Sequence, residues 1–159
     1  MTDSVETDQF DVVVYGASGF TGRLVAEYLL EAYGTAGELS WAMAGRNLAK
    51  LEGVRRELGA DAVDVPLLVA DSNDRESLVR LAAQARVVAT TVGPYALYGS
   101  RLVEACVETG THYCDLTGEV HWMRKIIDAH HEAATRSGAR IVHNCGFDSL
   151  PSDLGVHWL

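Results

Sequence analysis

Three glycines spaced three residues apart, Gly16, Gly19 and Gly22, follow the uncharged run Val12-Val13-Val14-Tyr15. They precede Leu24, Val25, Tyr28, Leu29 and Ala32, which recur at helical spacing. The β-branched and aromatic run suits a buried strand, so the stretch reads as strand, tight turn and helix. At such a junction the first helical N–H groups have no backbone partner. They form a positive pocket suited to a phosphate. Gly16 can take a backbone angle that a side chain forbids. Gly19 lets a pyrophosphate approach the main chain, and Gly22 lets the helix pack close to the strand. Ala17, Ser18, Phe20 and Thr21 complete the turn, and the Ser18 and Thr21 hydroxyls are further donors. The spacing is G-x-x-G-x-x-G rather than the usual dinucleotide fingerprint. Taken alone, the turn also fits a strand–helix connection that binds nothing.

The second group with chemical potential is Gly45-Arg46-Asn47, with Lys50 one helical turn on. In an NAD site this strand end usually carries an acid that takes the ribose hydroxyls. No carboxylate occurs between Glu38 and Glu52. An acid would repel a ribose phosphate, whereas the planar fork of Arg46 can grip one. The expectation is NADP in preference to NAD; the competing reading is a solvated arginine at a helix start. Asp71 and Ser72 suit either the adenine edge or a helix start.

Val92-Gly93-Pro94-Tyr95 bends the chain where a dinucleotide would pass toward its nicotinamide end, and Tyr95 and Tyr98 are candidate walls for that ring or a substrate. A rigid turn with surface tyrosines is the alternative. Asp115 and Glu119 are four residues apart and could do acid–base work. Glu119 also fits as a first-turn acid that complements a helix dipole, and structure is favoured over catalysis for the pair. Asp148 lies in the long polar loop Asn144–Asp153, where a substrate cleft would open. Cys145 has no histidine assigned beside it, and a buried thiol is the commoner case. His130 and His131 are adjacent, so they do not share a metal as i, i+4 residues can. No metal site is expected.

Strands at 10–15, 39–44, 65–69, 86–92, 112–116 and 139–143 position these groups. They alternate with helices over 20–33, 48–58, from Asn73 through Ala82, 97–109 and 120–136. Such alternation gives an α/β fold with a doubly wound, six-stranded parallel sheet covered on both faces. The expected order is 3-2-1-4-5-6, with the cofactor over the carboxyl ends of strands one and four. Residues 1–9 read as a flexible acidic tail, 10–150 as the nucleotide-binding domain and 151–159 as the start of a following helix.

The chain has 159 residues, 48% apolar and 22% charged, with a net charge of −9. That charge argues against nucleic acid and anionic membranes as partners. No stretch approaches the ~20 apolar residues of a membrane span. Three cysteines without C-x-x-C spacing fit a reducing cytoplasm.

Five separated stretches, Gly16–Gly22, Ala44–Asn47, Val92–Tyr95, Gly110–Asp115 through Gly118-Glu119, and Gly146–Asp153, resemble the saccharopine dehydrogenase-like oxidoreductases. The likeness spans about Phe10 to Leu159 and is greatest to the branch that includes trans-acting enoyl reductases. It implies a Rossmann-like domain that binds NADPH. It also implies hydride transfer to an unsaturated acyl or polyketide lipid intermediate, free or carrier-bound. Family members carry a second, substrate-shaping domain after the nucleotide-binding one, so this chain is expected to be the cofactor-binding part. A saccharopine-type reductase of an amino-acid imine and a non-catalytic NADP-binding module are the alternatives. Exposed cleft and terminal apolar residues predict self-association of the chain, and a homo-oligomer is the corresponding expectation.

Overall fold

In a computed structural model, residues 10–159 are described. The acidic tail expected over 1–9 lies outside the described residues. β1 (Phe10–Tyr15) and α1 (Phe20–Tyr33) have the bounds that the sequence predicts. They are followed by β2 (Trp41–Gly45), α2 (Leu48–Glu57), a 3-10 turn (Ala60–Ala62), β3 (Leu67–Val69) and α3 (Arg75–Ala82). Next come β4 (Ala85–Thr90), α4 (Tyr95–Tyr98), α5 (Ser100–Thr109), β5 (His112–Asp115), α6 (Val120–Ser137), β6 (Ile141–Val142) and α7 (Leu150–Trp158). The strands form one parallel sheet in the order β3-β2-β1-β4-β5-β6.

One face of the sheet is covered by α3, α5 and α6. The other is buried by α1 and α2 over β1–β3, while Ala89 and Cys114 on that side of β4 and β5 are half-buried and Val142 of β6 is exposed. Alternation along β1 sends Val13 and Tyr15 into the core shared with Leu78, Leu102 and Ile126 of α3, α5 and α6. Val14 points to the other face, where it joins Ala26 of α1 and Met43 and Leu51 of β2 and α2. β1 is central: Val14 pairs with Met43 on one side and Ala89 on the other. The chain leaves β1 toward β2 and later returns on its other side to form β4. This reversal opens a crevice above the carboxyl ends of β1 and β4.

The expected bounds of β2, β3 and β6 shift by one or two residues, and three further expectations need correction. The helix expected over 97–109 is preceded by a separate turn of helix, α4, and begins at Ser100 after Gly99. β4 stops at Thr90 rather than Val92, because the Thr90 hydroxyl takes the Val92 N–H at 3.2 Å and turns the chain out of the ladder. α3 begins at Arg75 rather than Asn73; Asp74 caps it, its carboxylate accepting from the N–H of Glu76 and Ser77, as a good N-cap does.

Candidate cofactor site

A cavity of about 290 Å³ occupies the crevice above β1 and β4. Its floor is the glycine turn. Gly16 has φ +95°, and a Cβ there would lie 2.7 Å from Val92 Cγ2. A Cβ on Gly22 would stand 2.2 Å from the Gly16 carbonyl oxygen, so the first turn of α1 rests directly on the turn backbone. The roles expected for Gly16 and Gly22 hold for this packing. Gly19 is the N-cap of α1; no side chain caps that end and no acid lies in its first turn. By contrast, Asn47 caps α2 and Asp74 caps α3. The free N–H groups and dipole of α1 suit an anion.

Gly16, Ser18, Gly19, Arg46, Asp71, Ser72, Val92, Gly93 and Tyr98 of the expected site residues line the cavity. Arg46 is exposed at the end of β2 and makes no ion pair among the described residues. Asn47 and Lys50 do not line the cavity: the Asn47 side chain accepts from the Lys50 N–H at 3.0 Å and belongs to the helix cap. Within the turn, Ala17 is buried in the core, while Phe20 and Thr21 face solvent. Pro94 is exposed outside the cavity wall.

The Tyr95 ring is buried, not a wall of the cleft. It packs on Trp122 with centroids 5.6 Å apart, and its hydroxyl donates to the Thr90 carbonyl at 3.1 Å. Burial pushes its phenol up to about 12, with the Asp115 and Glu119 charges adding to the effect and a backbone hydrogen bond opposing it.

Tyr15, Asn73 and Thr91 also line the cavity and were not expected there, and Gly45 lines it beside Arg46. The Tyr15 hydroxyl lies 2.9 Å from Ser72 Oγ and donates to the Ala70 carbonyl at 3.3 Å. Burial raises its pKa, so it stays a neutral donor at neutral pH. The signal was a polar-tipped aromatic at the last position of the strand, directly after Val12-Val13-Val14. Asp71 accepts from the Asn73 N–H at 2.8 Å, which shapes the loop after β3.

On the substrate side the expected residues separate. Tyr98 faces the cavity. Asp115 is fully buried, and one of its oxygens accepts from the Tyr113 hydroxyl at 2.8 Å and meets His143 Nδ1 at 2.7 Å. The other accepts from the N–H of Thr117 and Asn144. Asp115 therefore ties β5 to the segment after β6. His143 was not expected here, and its Nε2 is buried without a partner among the described residues. Glu119 binds the backbone of α4, and Asp148 is exposed in a turn outside the cavity. Cys145 is exposed rather than buried; its thiol points to the Val142 and His143 carbonyls, and partial desolvation there raises its pKa.

The sheet order, the glycine turn and the cavity at the switch point define a dinucleotide-binding α/β domain. The family described as "Saccharopine dehydrogenase NADP binding domain" matches residues 12–142, and the chain belongs to that family. NADP is the cofactor of this family, and the residues fit it: a helix end for phosphate and an arginine where an NAD site would hold an acid, neither with a side-chain partner among the described residues. Trans-acting enoyl reductases of Mycobacterium leprae and Mycobacterium tuberculosis are each 51% identical to the chain, over 156 and 151 residues. The matches cover 98% and 95% of this chain but 37% and 35% of those proteins, so the chain spans about a third of their length. Saccharopine dehydrogenase (L-Glu forming) from Saccharomyces cerevisiae shares the fold, with a TM-score of 0.72 at 18% identity over 92% of this chain and 29% of that one. A triphenylmethane reductase from Citrobacter sp., solved with NADP(H), gives 0.62 at 19% identity over 84% and 48%.

Proposed function

We propose that this chain is the cofactor-binding domain of an NADPH-dependent reductase that acts on an unsaturated acyl or polyketide lipid intermediate, free or carrier-bound. The observation that carries the cofactor part is the joining of Arg46 and the uncapped end of α1 in one cavity. The acyl part is supported by the enoyl reductase relatives at 51% identity. Bound NADPH would supply the hydride. The chain's own residues bind and orient: the α1 amides and Ser18 hold the pyrophosphate, and Arg46 holds the ribose phosphate. Asp71 and Ser72 flank the adenine, while Val92, Gly93 and Tyr98 border the nicotinamide.

Three free cysteines support a reducing, cytoplasmic setting. No helix among the described residues is long and apolar enough to cross a membrane. Exposed Leu154, Val156 and Trp158 on α7 support self-association of the chain.

The test is NADPH consumption by the full-length parent protein with a 2-enoyl thioester. Turnover with NADPH and not with NADH is expected. Turnover of an amino-acid imine instead would favour a saccharopine-type reductase. Binding without turnover of either acceptor would leave a nucleotide-binding module.

A further inference from the structure

Glu119 stands at the N-cap position of α6, yet its side chain makes no cap there. The carboxylate reaches instead to α4, where it accepts from the N–H of Tyr95 at 2.6 Å and of Ala96 at 2.9 Å. An ionised acceptor makes such bonds short and strong. Glu119 is itself anchored to the sheet. Its N–H donates to Thr117 Oγ1 at 3.0 Å, and the Thr117 N–H donates to Asp115 Oδ1 at 3.1 Å. The Thr117 and Asp115 side chains are buried, so this anchor is closed to water.

The segment that Glu119 grips is the one that borders the distal half of the cavity. Gly93 lies just before α4 and Tyr98 at its end, and both line the cavity. Tyr95 is held at two points: its backbone by Glu119, and its hydroxyl by the Thr90 carbonyl at the end of β4. The path of residues 93–98 past the switch point is thereby fixed. Arg46, Asp71 and Ser72, at the ends of β2 and β3, have no bond to this network.

We infer that Glu119 is a positioning residue for the nicotinamide half of the bound cofactor. It acts through α4 and touches no ligand. The inference rests on the cofactor reading above and assigns Glu119 a part in it that the adenine half does not share.

The test compares NADPH with adenosine 2′,5′-bisphosphate, which carries the adenine and ribose phosphate but no nicotinamide, by calorimetry on the chain. Glu119→Gln keeps the shape but sets an NH2 group against one of the two α4 amides. Thr117→Val removes the acceptor that anchors Glu119 and keeps its volume. The expected result for Glu119→Gln is an NADPH Kd raised about tenfold with the bisphosphate Kd unchanged. Thr117→Val is expected to show the same selective loss, smaller in size, and decides the matter if Glu119→Gln does not fold. Parent-like NADPH affinity, or equal weakening of both ligands, overturns the positioning role. If the parent chain binds neither ligand, the cofactor reading itself fails and the inference falls with it.

Discussion

A Cβ on Gly22 would lie 2.2 Å from the carbonyl oxygen of Gly16, and 2.7 Å from its carbonyl carbon. Both contacts are with backbone, which cannot swing aside as a side chain can. The approach sets the distance from α1 to the end of β1, and with it the position of the α1 amides over the cavity. Gly22→Ala is expected to displace α1 and lower stability by about 1–3 kcal/mol, the range for an overpacked methyl. Denaturant unfolding checks it, and a parent-like midpoint with an unchanged slope would contradict the packing.

Arg46 stands at the end of β2 with no ion-pair partner among the described residues, and no acid of that loop opposes a phosphate. Arg46→Ala is expected to weaken NADPH binding by roughly tenfold to a hundredfold, from the loss of ~1.5–3 kcal/mol in charge-assisted hydrogen bonds. NADH, which lacks the ribose phosphate, should bind the variant as it binds the parent. Competition binding of the two nucleotides measures the difference.

Asp115 accepts from Tyr113, Thr117 and Asn144 and meets His143, all from a side chain with no exposed surface. Asp115→Ala strands several buried donors at once. The expected loss of stability is about 3–5 kcal/mol. Asp115→Asn, which keeps the shape and part of the acceptor set, should cost less. Urea unfolding of the two variants checks the order; a small equal effect of both would show that the network does not hold the β5–β6 end together.

Burial raises Cys114 to about 11 and Tyr95 to about 12, against ordinary values of 9.0 and 10.0. Burial also pushes the Cys106 thiol up. Below the ordinary values these groups are neutral in both the folded and the unfolded chain, so their contribution is fully present. As pH rises the unfolded chain loses its protons first, and stability must fall. The decline is expected between about pH 9 and pH 12, and denaturation midpoints across that window measure it. A midpoint that rises through the window would contradict the burial of these groups.

The parts legible in the sequence are those whose cause is local. β1 and α1 follow from the apolar run Val12–Tyr15, three glycines and a helical repeat, all close together in the chain. The NADP preference followed from Arg46 and the missing acid, again within one loop. What escaped is held by partners far along the chain. α4 is one turn long and is fixed by Glu119, 24 residues away at Tyr95. Tyr15 meets Ser72 across 57 residues, and Asp115 meets His143 across 28. Tyr95 reads as a surface aromatic after Gly-Pro, yet Trp122 from α6 covers it. Cys145 reads as buried, but the segment after β6 leaves it exposed.

The most direct test of the cofactor site uses Gly19→Asp. Gly19 has φ −86° and ψ 169°, extended angles that any residue adopts. A Cβ there would stand 3.3 Å from the Gly16 carbonyl oxygen, a close contact that a small shift relieves. Aspartate is a favoured N-cap, so the variant should fold with near-parent stability. Its carboxylate would occupy the α1 amides and repel a pyrophosphate. Calorimetric titration with NADPH is expected to show saturable binding to the parent chain and none to the folded variant. Equal NADPH affinity in the two proteins would contradict the placement of the cofactor on this turn.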